Sequence, residues 1–296
     1  MRGLDRLVEM ARGRMKRLAV AAANDDHVLK ALWMAFKEGI CVPILFGPEG
    51  KIRDLLKEHV ADWKDPSIVD CEDEHQATVK AVECVAKGEC SFLMKGKVMT
   101  GELMRVYLKE EYGLRTGKTI AMVSVMELPN FDRFLIISDP GMVINPTLEQ
   151  KVDIIEHCVS VARLLGIELP KVAIVSAVET VNPKIQTTVE AAVLSKMNQR
   201  GQIKGCVVDG PFALDNVVSE DAARRKGIES PVAGKADVIV LPNIEAANIL
   251  YKALIFLAGA RSASVILGGK VPVVLTSRAD SEETKFYSIA LASLFV

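Results

Sequence analysis

Short apolar, β-branched runs alternate with amphipathic stretches along almost the whole chain, and no other feature narrows the fold more. Residues 18–23 (LAVAAA) read as a buried strand. They run into the cap-type residues Asn24 and Asp25, and then a helix over 26–38. The unit repeats with a strand at 42–46, a Gly47-Pro48 turn and a helix to residue 59. It repeats again with 67–71 followed by 74–87, and with 91–94 followed by 100–111. Continuous apolar strands separated by helices of roughly 10–15 residues imply right-handed crossovers and a mostly parallel sheet.

The middle of the chain departs from this rhythm. Residues 120–127 and 134–138 are strand-like and joined only by LPNFDR, a link too short for a crossover helix and suited to an antiparallel hairpin. Alternation then resumes with a helix at 148–165, a strand at 172–176, a helix at 185–199 and a strand at 203–209. After these come a strand at 238–241, a helix near 245–257, strands at 263–267 and 271–275, and a closing helix at 282–294. The expectation is an α/β protein of two three-layer α/β/α lobes with mostly parallel sheets. Residues 1–126 and 268–296 form the first domain, and residues 127–267 form the second.

Composition limits the chemistry. With 37 Lys+Arg against 38 Asp+Glu, the formal charge is −1. That lacks the basic surplus of a nucleic-acid or anionic-membrane binder, so any anion must be held by a few placed groups. The longest uncharged runs, such as 286–296, fall short of the ~20 residues of a membrane span. Residues 1–16 carry mixed charges and no apolar signal core, so a cytoplasmic protein is expected. The six cysteines contain no CxxC pair and lie mostly in apolar surroundings, which reads as reduced, buried thiols. Four scattered histidines offer no zinc-ligand spacing, and no metal is expected.

In parallel sheets, ligands sit beyond the carboxyl ends of strands. Four such loops stand out. Lys95-Gly96-Lys97-Val98-Met99-Thr100 has two lysines, a permissive glycine and a capping threonine at a helix start, where free N–H groups favour an anion. The stretch 138–147 has two prolines, with Asp139 and Asn145 as either substrate contacts or backbone partners. Asp209-Gly210-Pro211 puts a carboxylate at a sharp turn. Asp209 and Asp215 are acid–base candidates, although carboxylates bonded to loop N–H groups are commoner. Thr276-Ser277-Arg278-Ala279-Asp280-Ser281 precedes the last helix. Asp280 or Ser281 is its N-cap, while Ser277 and Arg278 are left over as phosphate-type donors. Gly117-Lys118-Thr119 imitates the end of a nucleotide P-loop, but Tyr112 stands where the leading glycine belongs, and the segment precedes a strand.

At these same loops the chain resembles the phosphate acetyl/butyryltransferase family, and within it the butyryl branch. The matching segments are FLMKGK (92–97), GLRTGKT (113–119), AVETVNPK (177–184), LSKM (194–197), RGQIKGCVVDGP (200–211), VAGKAD (232–237), NILYK (248–252) and VVLTSRADS (273–281). They occur in order over nearly the whole chain.

The resemblance implies an isocitrate/isopropylmalate dehydrogenase-like fold with an active site in the interdomain cleft. It implies a homo-oligomer and no cofactor or metal. The implied reaction is direct, reversible acyl exchange in a ternary complex: butyryl-CoA plus phosphate gives butyryl phosphate plus CoA. CoA, acyl-CoA, phosphate and acyl phosphate are thus the expected partners. An acetyl or broader short-chain enzyme is the alternative, and a silent acyl-CoA-binding protein a third reading. The family's Ser-Arg pair maps to Ser277 and Arg278, and a further arginine to Arg115. The family segment around 248–252 adds Asn248, Tyr251 and Lys252 to the substrate contacts Lys95, Gly96, Lys97, Thr100, Asp139, Asn145, Asp209 and Gly210. The acetyl branch's proposed thiol base falls at Thr284, which leaves Asp280 as the nearest substitute, and a further family arginine falls near the apolar Phe256.

Overall fold

The alternation becomes strand and helix in the expected order over most of residues 3–296, which the structure, a computed structural model, describes. The first run comprises α1 (Asp5–Ala11), β1 (Lys16–Ala21), α2 (Asp26–Lys37), β2 (Cys41–Gly47), α3 (Glu49–His59), β3 (Ser67–Asp70), α4 (Glu74–Ala86), β4 (Phe92–Lys95) and α5 (Thr100–Tyr107). Next come β5 (Ala121–Glu127), β6 (Leu135–Ser138), α6 (Leu148–Leu164), β7 (Lys171–Val175), α7 (Gln186–Gln199), β8 (Val207–Phe212), α8 (Leu214–Val218), α9 (Glu220–Arg225), β9 (Val238–Val240) and α10 (Ile244–Phe256). The chain closes with β10 (Arg261–Leu267), β11 (Val273–Val274) and α11 (Glu282–Ser293). Two units separate, Met1–Gly117 with Ser262–Val296, and Lys118–Arg261.

In the first unit the strands run β3-β2-β1-β4-β11-β10. All neighbours are parallel except β10 and β11, which meet at Ile266↔Val273. β1 is buried from Leu18 to Ala21, as a strand inside such a sheet must be. Asp25 caps α2 by accepting the Val28 N–H at 3.0 Å, and the helix buries Val28, Leu29, Ala31, Leu32 and Ala35. α11 is buried from Thr284 to Ser293 and packs on α1 and α2.

The second unit orders its strands β5-β6-β9-β7-β8, with the expected antiparallel pair at Val123↔Ser138 through Met126↔Leu135 and parallel pairing elsewhere. Thr147 and Gln150 form a reciprocal capping box at the start of α6.

The structure departs from the sequence reading in several places: the units divide at 117/118 and 261/262 rather than at 126/127 and 267/268, and the helix expected to residue 111 ends at Tyr107. The strand expected at 203–209 is displaced to β8. Asn198 donates to the carbonyls of Ile203 and Cys206, and Gly205 sits at φ +76°, so 203–206 is a turn. α8 and α9 were not expected. At five and six residues they are too short to show a helical period. Thr100 is not a cap: Met99 holds the N-cap position of α5, with no side-chain cap bond.

Candidate active site

β4 and β11 lie side by side and parallel, through Val273↔Leu93 and Val274↔Met94, so the loops leaving their carboxyl ends emerge together. The loop after β4 carries Lys95 to Thr100, and the one after β11 carries Thr276 to Ser281. One contact joins them directly. The Arg278 guanidinium reaches the Met99 sulfur at 3.5 Å, across 179 positions of sequence.

The β11 turn is built by its own side chains. The Ser277 N–H donates to the Asp280 carboxylate at 2.6 Å, and the Asp280 N–H donates to the Ser277 carbonyl at 3.2 Å. The Ser277 hydroxyl accepts the Ala279 N–H at 3.3 Å. Ser281 is the N-cap of α11, accepting the Thr284 N–H at 3.1 Å. Asp280 therefore shapes the turn, while Ser277 and Arg278 stay at the exposed surface. Thr284 is buried behind the cap.

Beneath the turn lies a residue the sequence reading passed over. Lys285 is 3% exposed, and its ammonium donates to the Asp280 carbonyl at 2.6 Å and the Ser277 carbonyl at 3.4 Å. Burial pulls its pKa down, against the opposing pull of Asp280 and Asp25. The available signal was a lone cation opening an otherwise uncharged helix run, KFYSIALASLFV.

The β4 loop differs from expectation. Lys95 is only 6% exposed and turns inward, its ammonium donating to the carbonyls of Gly96 (3.1 Å) and Val98 (3.2 Å). Burial lowers its pKa, and the nearby Arg278 and Lys285 charges lower it further. The N–H groups of Gly96 and Lys97 are also committed, to the carbonyls of Ala21 (2.8 Å) and Ala22 (2.7 Å) at the end of β1. The expected free donors are thus part of the sheet edge. Lys97 remains exposed, beside an open pocket of about 420 Å³ that Asn24, Asp25, Lys51 and Asp54 also line. The buried Asn24 Oδ1 has no hydrogen-bond partner there. Arg115 stands by the opposite, amino-terminal end of β11. It forms a backbone bridge with Gly269, and its guanidinium lies 3.4 Å from Glu110.

In the second unit, Asp139 is 4% exposed, and its carboxylate accepts N–H groups from Gly141 (2.9 Å), Met142 (3.0 Å) and Val143 (2.9 Å). Burial raises its pKa against those three bonds. Asn248, on α10, donates to the Pro140 carbonyl at 2.9 Å, and the Ile244 N–H donates to the Ile144 carbonyl at 3.0 Å. The Asp139 loop, exposed Asn145 and α10 are thereby tied together. Tyr251 packs on the apolar cluster of this unit, and Lys252 is exposed. Asp209 accepts the Gly210 N–H at 2.9 Å and the Ser230 hydroxyl at 2.5 Å, which is the commoner, backbone-bonding reading of that carboxylate. Asp215 is ion-paired with Lys226 at 3.0 Å.

Residues 74–293 match the family model described as phosphate acetyl/butaryl transferase. A phosphate acetyltransferase of Thermotoga maritima is 70% identical over 99% of this chain and 99% of its own length. A phosphate butyryltransferase of Clostridium acetobutylicum is 48% identical over 95% of this chain and 93% of its own. Among solved structures, a branched-chain phosphotransacylase from Enterococcus faecalis V583 superposes with a TM-score of 0.83 at 33% identity, covering 95% of this chain and 98% of the other.

Proposed function

This chain belongs to the phosphate acetyl/butyryl transferase family, and from that premise we propose that it moves an acetyl group between CoA and phosphate: acetyl-CoA plus phosphate gives acetyl phosphate plus CoA. The observation that carries the choice of acetyl is the 70% identity, over essentially full length on both sides, to a protein named phosphate acetyltransferase.

In this reading the Ser277–Arg278 turn is the reaction centre. Arg278 holds the phosphoryl oxygens with parallel N–H donors and reduces the repulsion between two anionic substrates. A phosphate oxygen attacks the thioester carbonyl carbon, and the Ser277 hydroxyl donates to the oxyanion or the departing sulfur. The C–S bond breaks, and CoA leaves as thiolate and takes up a proton from water. In reverse, a thiol with a pKa near ~8.5 is already a few per cent ionised at neutral pH, so no dedicated base is required where Thr284 stands. Holding both substrates in one ternary complex supplies much of the rate. Arg115, expected as a second phosphate contact, is not part of this centre, because its bridge to Gly269 holds it by the other end of β11. Lys97, Thr100, Asn145, Asn248 and Lys252 are peripheral substrate contacts.

A second reading, transfer of butyryl, has its own support. Thr284 replaces the acidic residue of the acetyl branch, and a butyryltransferase is 48% identical. One methylene changes selectivity by only ~1–3 kcal/mol, about 10- to 200-fold. A thiol-release assay with phosphate and acetyl-, propionyl-, butyryl- and isobutyryl-CoA separates the readings. The expected outcome is phosphate-dependent release with the highest kcat/KM for acetyl-CoA. A maximum at butyryl- or isobutyryl-CoA selects the second reading. Absence of release with all four overturns both and leaves a silent acyl-CoA binder.

A further inference from the structure

Among the six buried cysteines, two are brought together by a helix terminus. α4 ends in a Schellman turn. Lys87 is the C-cap, and Gly88 follows at φ +74°. The Gly88 N–H donates to the Val85 carbonyl at 3.1 Å, and the Glu89 N–H to the Cys84 carbonyl at 3.0 Å. The Cys90 N–H donates to that same Cys84 carbonyl at 3.3 Å, so the chain folds back over the last helical turn on its way into β4. The consequence is a contact of 2.8 Å between Cys84 Sγ and Cys90 Sγ, within about 1 Å of bonding distance. The two thiols are 6% and 2% exposed, yet Lys87, Gly88 and Glu89, the turn that joins them, are all exposed.

We propose that Cys84 and Cys90 are a redox-convertible pair that closes into an intramolecular disulfide across the end of α4. The oxidant is a low-molecular-weight disulfide. One cysteine thiolate attacks it, forming a mixed disulfide and releasing one thiol. The second cysteine attacks the mixed disulfide and releases the other thiol. Two protein thiols lose two electrons and two protons, and the reagent disulfide gains them. Burial pushes both thiol pKa values up, which slows the first attack. Access requires opening of the exposed 87–89 turn, which makes the conversion slow. The closed bond ties α4 to the strand that leads into the Lys95–Thr100 loop.

The test equilibrates the full chain in a series of oxidised and reduced glutathione ratios. Equilibrium is approached both from reduced protein and from protein refolded under oxidising conditions, so that slow access cannot hide the result. After acid quench, denaturation and alkylation, trypsin cuts at Lys87 and separates residues 81–87 from 88–95. The expected product is those two peptides linked, 2 Da lighter than the free pair, with four thiols still alkylated. A rise of roughly a few degrees in thermal midpoint should accompany it. Cys84→Ser and Cys90→Ser abolish the linkage, and Cys84→Ala serves if the serine variants do not fold. Gly88→Ala, strained at positive φ, shifts the equilibrium several-fold toward the dithiol. Six alkylated thiols at every ratio from both directions, or Cys84 linked to any partner other than Cys90, overturns the proposal.

Discussion

Arg278 and Lys285 are cations eight or fewer positions from Ser277, yet they have different tasks. Arg278 is exposed on the turn, with its guanidinium against Met99, so its charge stays at the surface. Lys285 is buried, with its charge directed at two carbonyls of the same turn. Arg278→Ala removes a charged donor from the transition state and should lower turnover roughly 10²- to 10³-fold, with the urea midpoint nearly unchanged. Lys285→Met instead removes the buried ammonium that donates to the Ser277 and Asp280 carbonyls, so it should lower both the urea midpoint and turnover. Steady-state kinetics and urea unfolding on the two variants check the contrast. An Arg278→Ala enzyme within a few-fold of the parent would remove Arg278 from the mechanism.

At the scale of elements, the site depends on how the β4 loop is fastened to β1. Gly96 and Lys97 extend the β1–β4 pairing by donating to Ala21 and Ala22, and the close approach leaves no room for a side chain at Gly96. A Cβ there would collide with the Ala22 carbonyl and lie 2.7 Å from that of Ala21. Backbone cannot swing aside as a side chain can. Gly96→Ala should therefore cost about 1–3 kcal/mol of stability in urea unfolding and displace the Met99–Thr100 segment that Arg278 touches. Wild-type stability in this variant would show that the loop is loosely held.

Across the whole molecule, acid sensitivity follows from one buried imidazole. His157, on α6, lies 2.8 Å from the Thr119 carbonyl. Burial lowers its pKa below 6.5, against opposing pulls from the Thr119 carbonyl and the charges of Asp153 and Glu156. The folded chain thus resists a proton that the unfolded chain accepts. This contribution to stability is complete above about pH 6.5, and it is lost progressively as pH falls toward the folded value. Asp153 acts in a separate, lower window. Burial raises its pKa, but hydrogen bonds from Lys118 and Thr119 outweigh that and hold it below 3.8. The urea midpoint should fall between about pH 7.5 and 5.5, and His157→Gln should flatten that decline. An unchanged slope in the variant would assign the sensitivity to other groups.

Most strands, the longer helices around them and the hairpin at β5 and β6 were legible in the sequence, because burial period and cap chemistry are written within each element, whereas β8 and the short α8 and α9 were not. Asp25, Thr147 and Ser281 cap their helices through bonds spanning three residues. The Ser277–Arg278 turn was legible for a similar reason: it holds donors that capping does not use. Tertiary structure alone decided which polar groups remain for a ligand. Lys95 turned inward, the Gly96 and Lys97 amides paired with β1, and Lys285 came beneath a turn it helps to hold. The approach of Cys84 to Cys90 was likewise decided by tertiary structure, since a six-residue spacing says nothing of a reversing turn. Each of these is a contact made when separate segments are packed side by side, and a donor's availability depends on neighbours that no local pattern encodes.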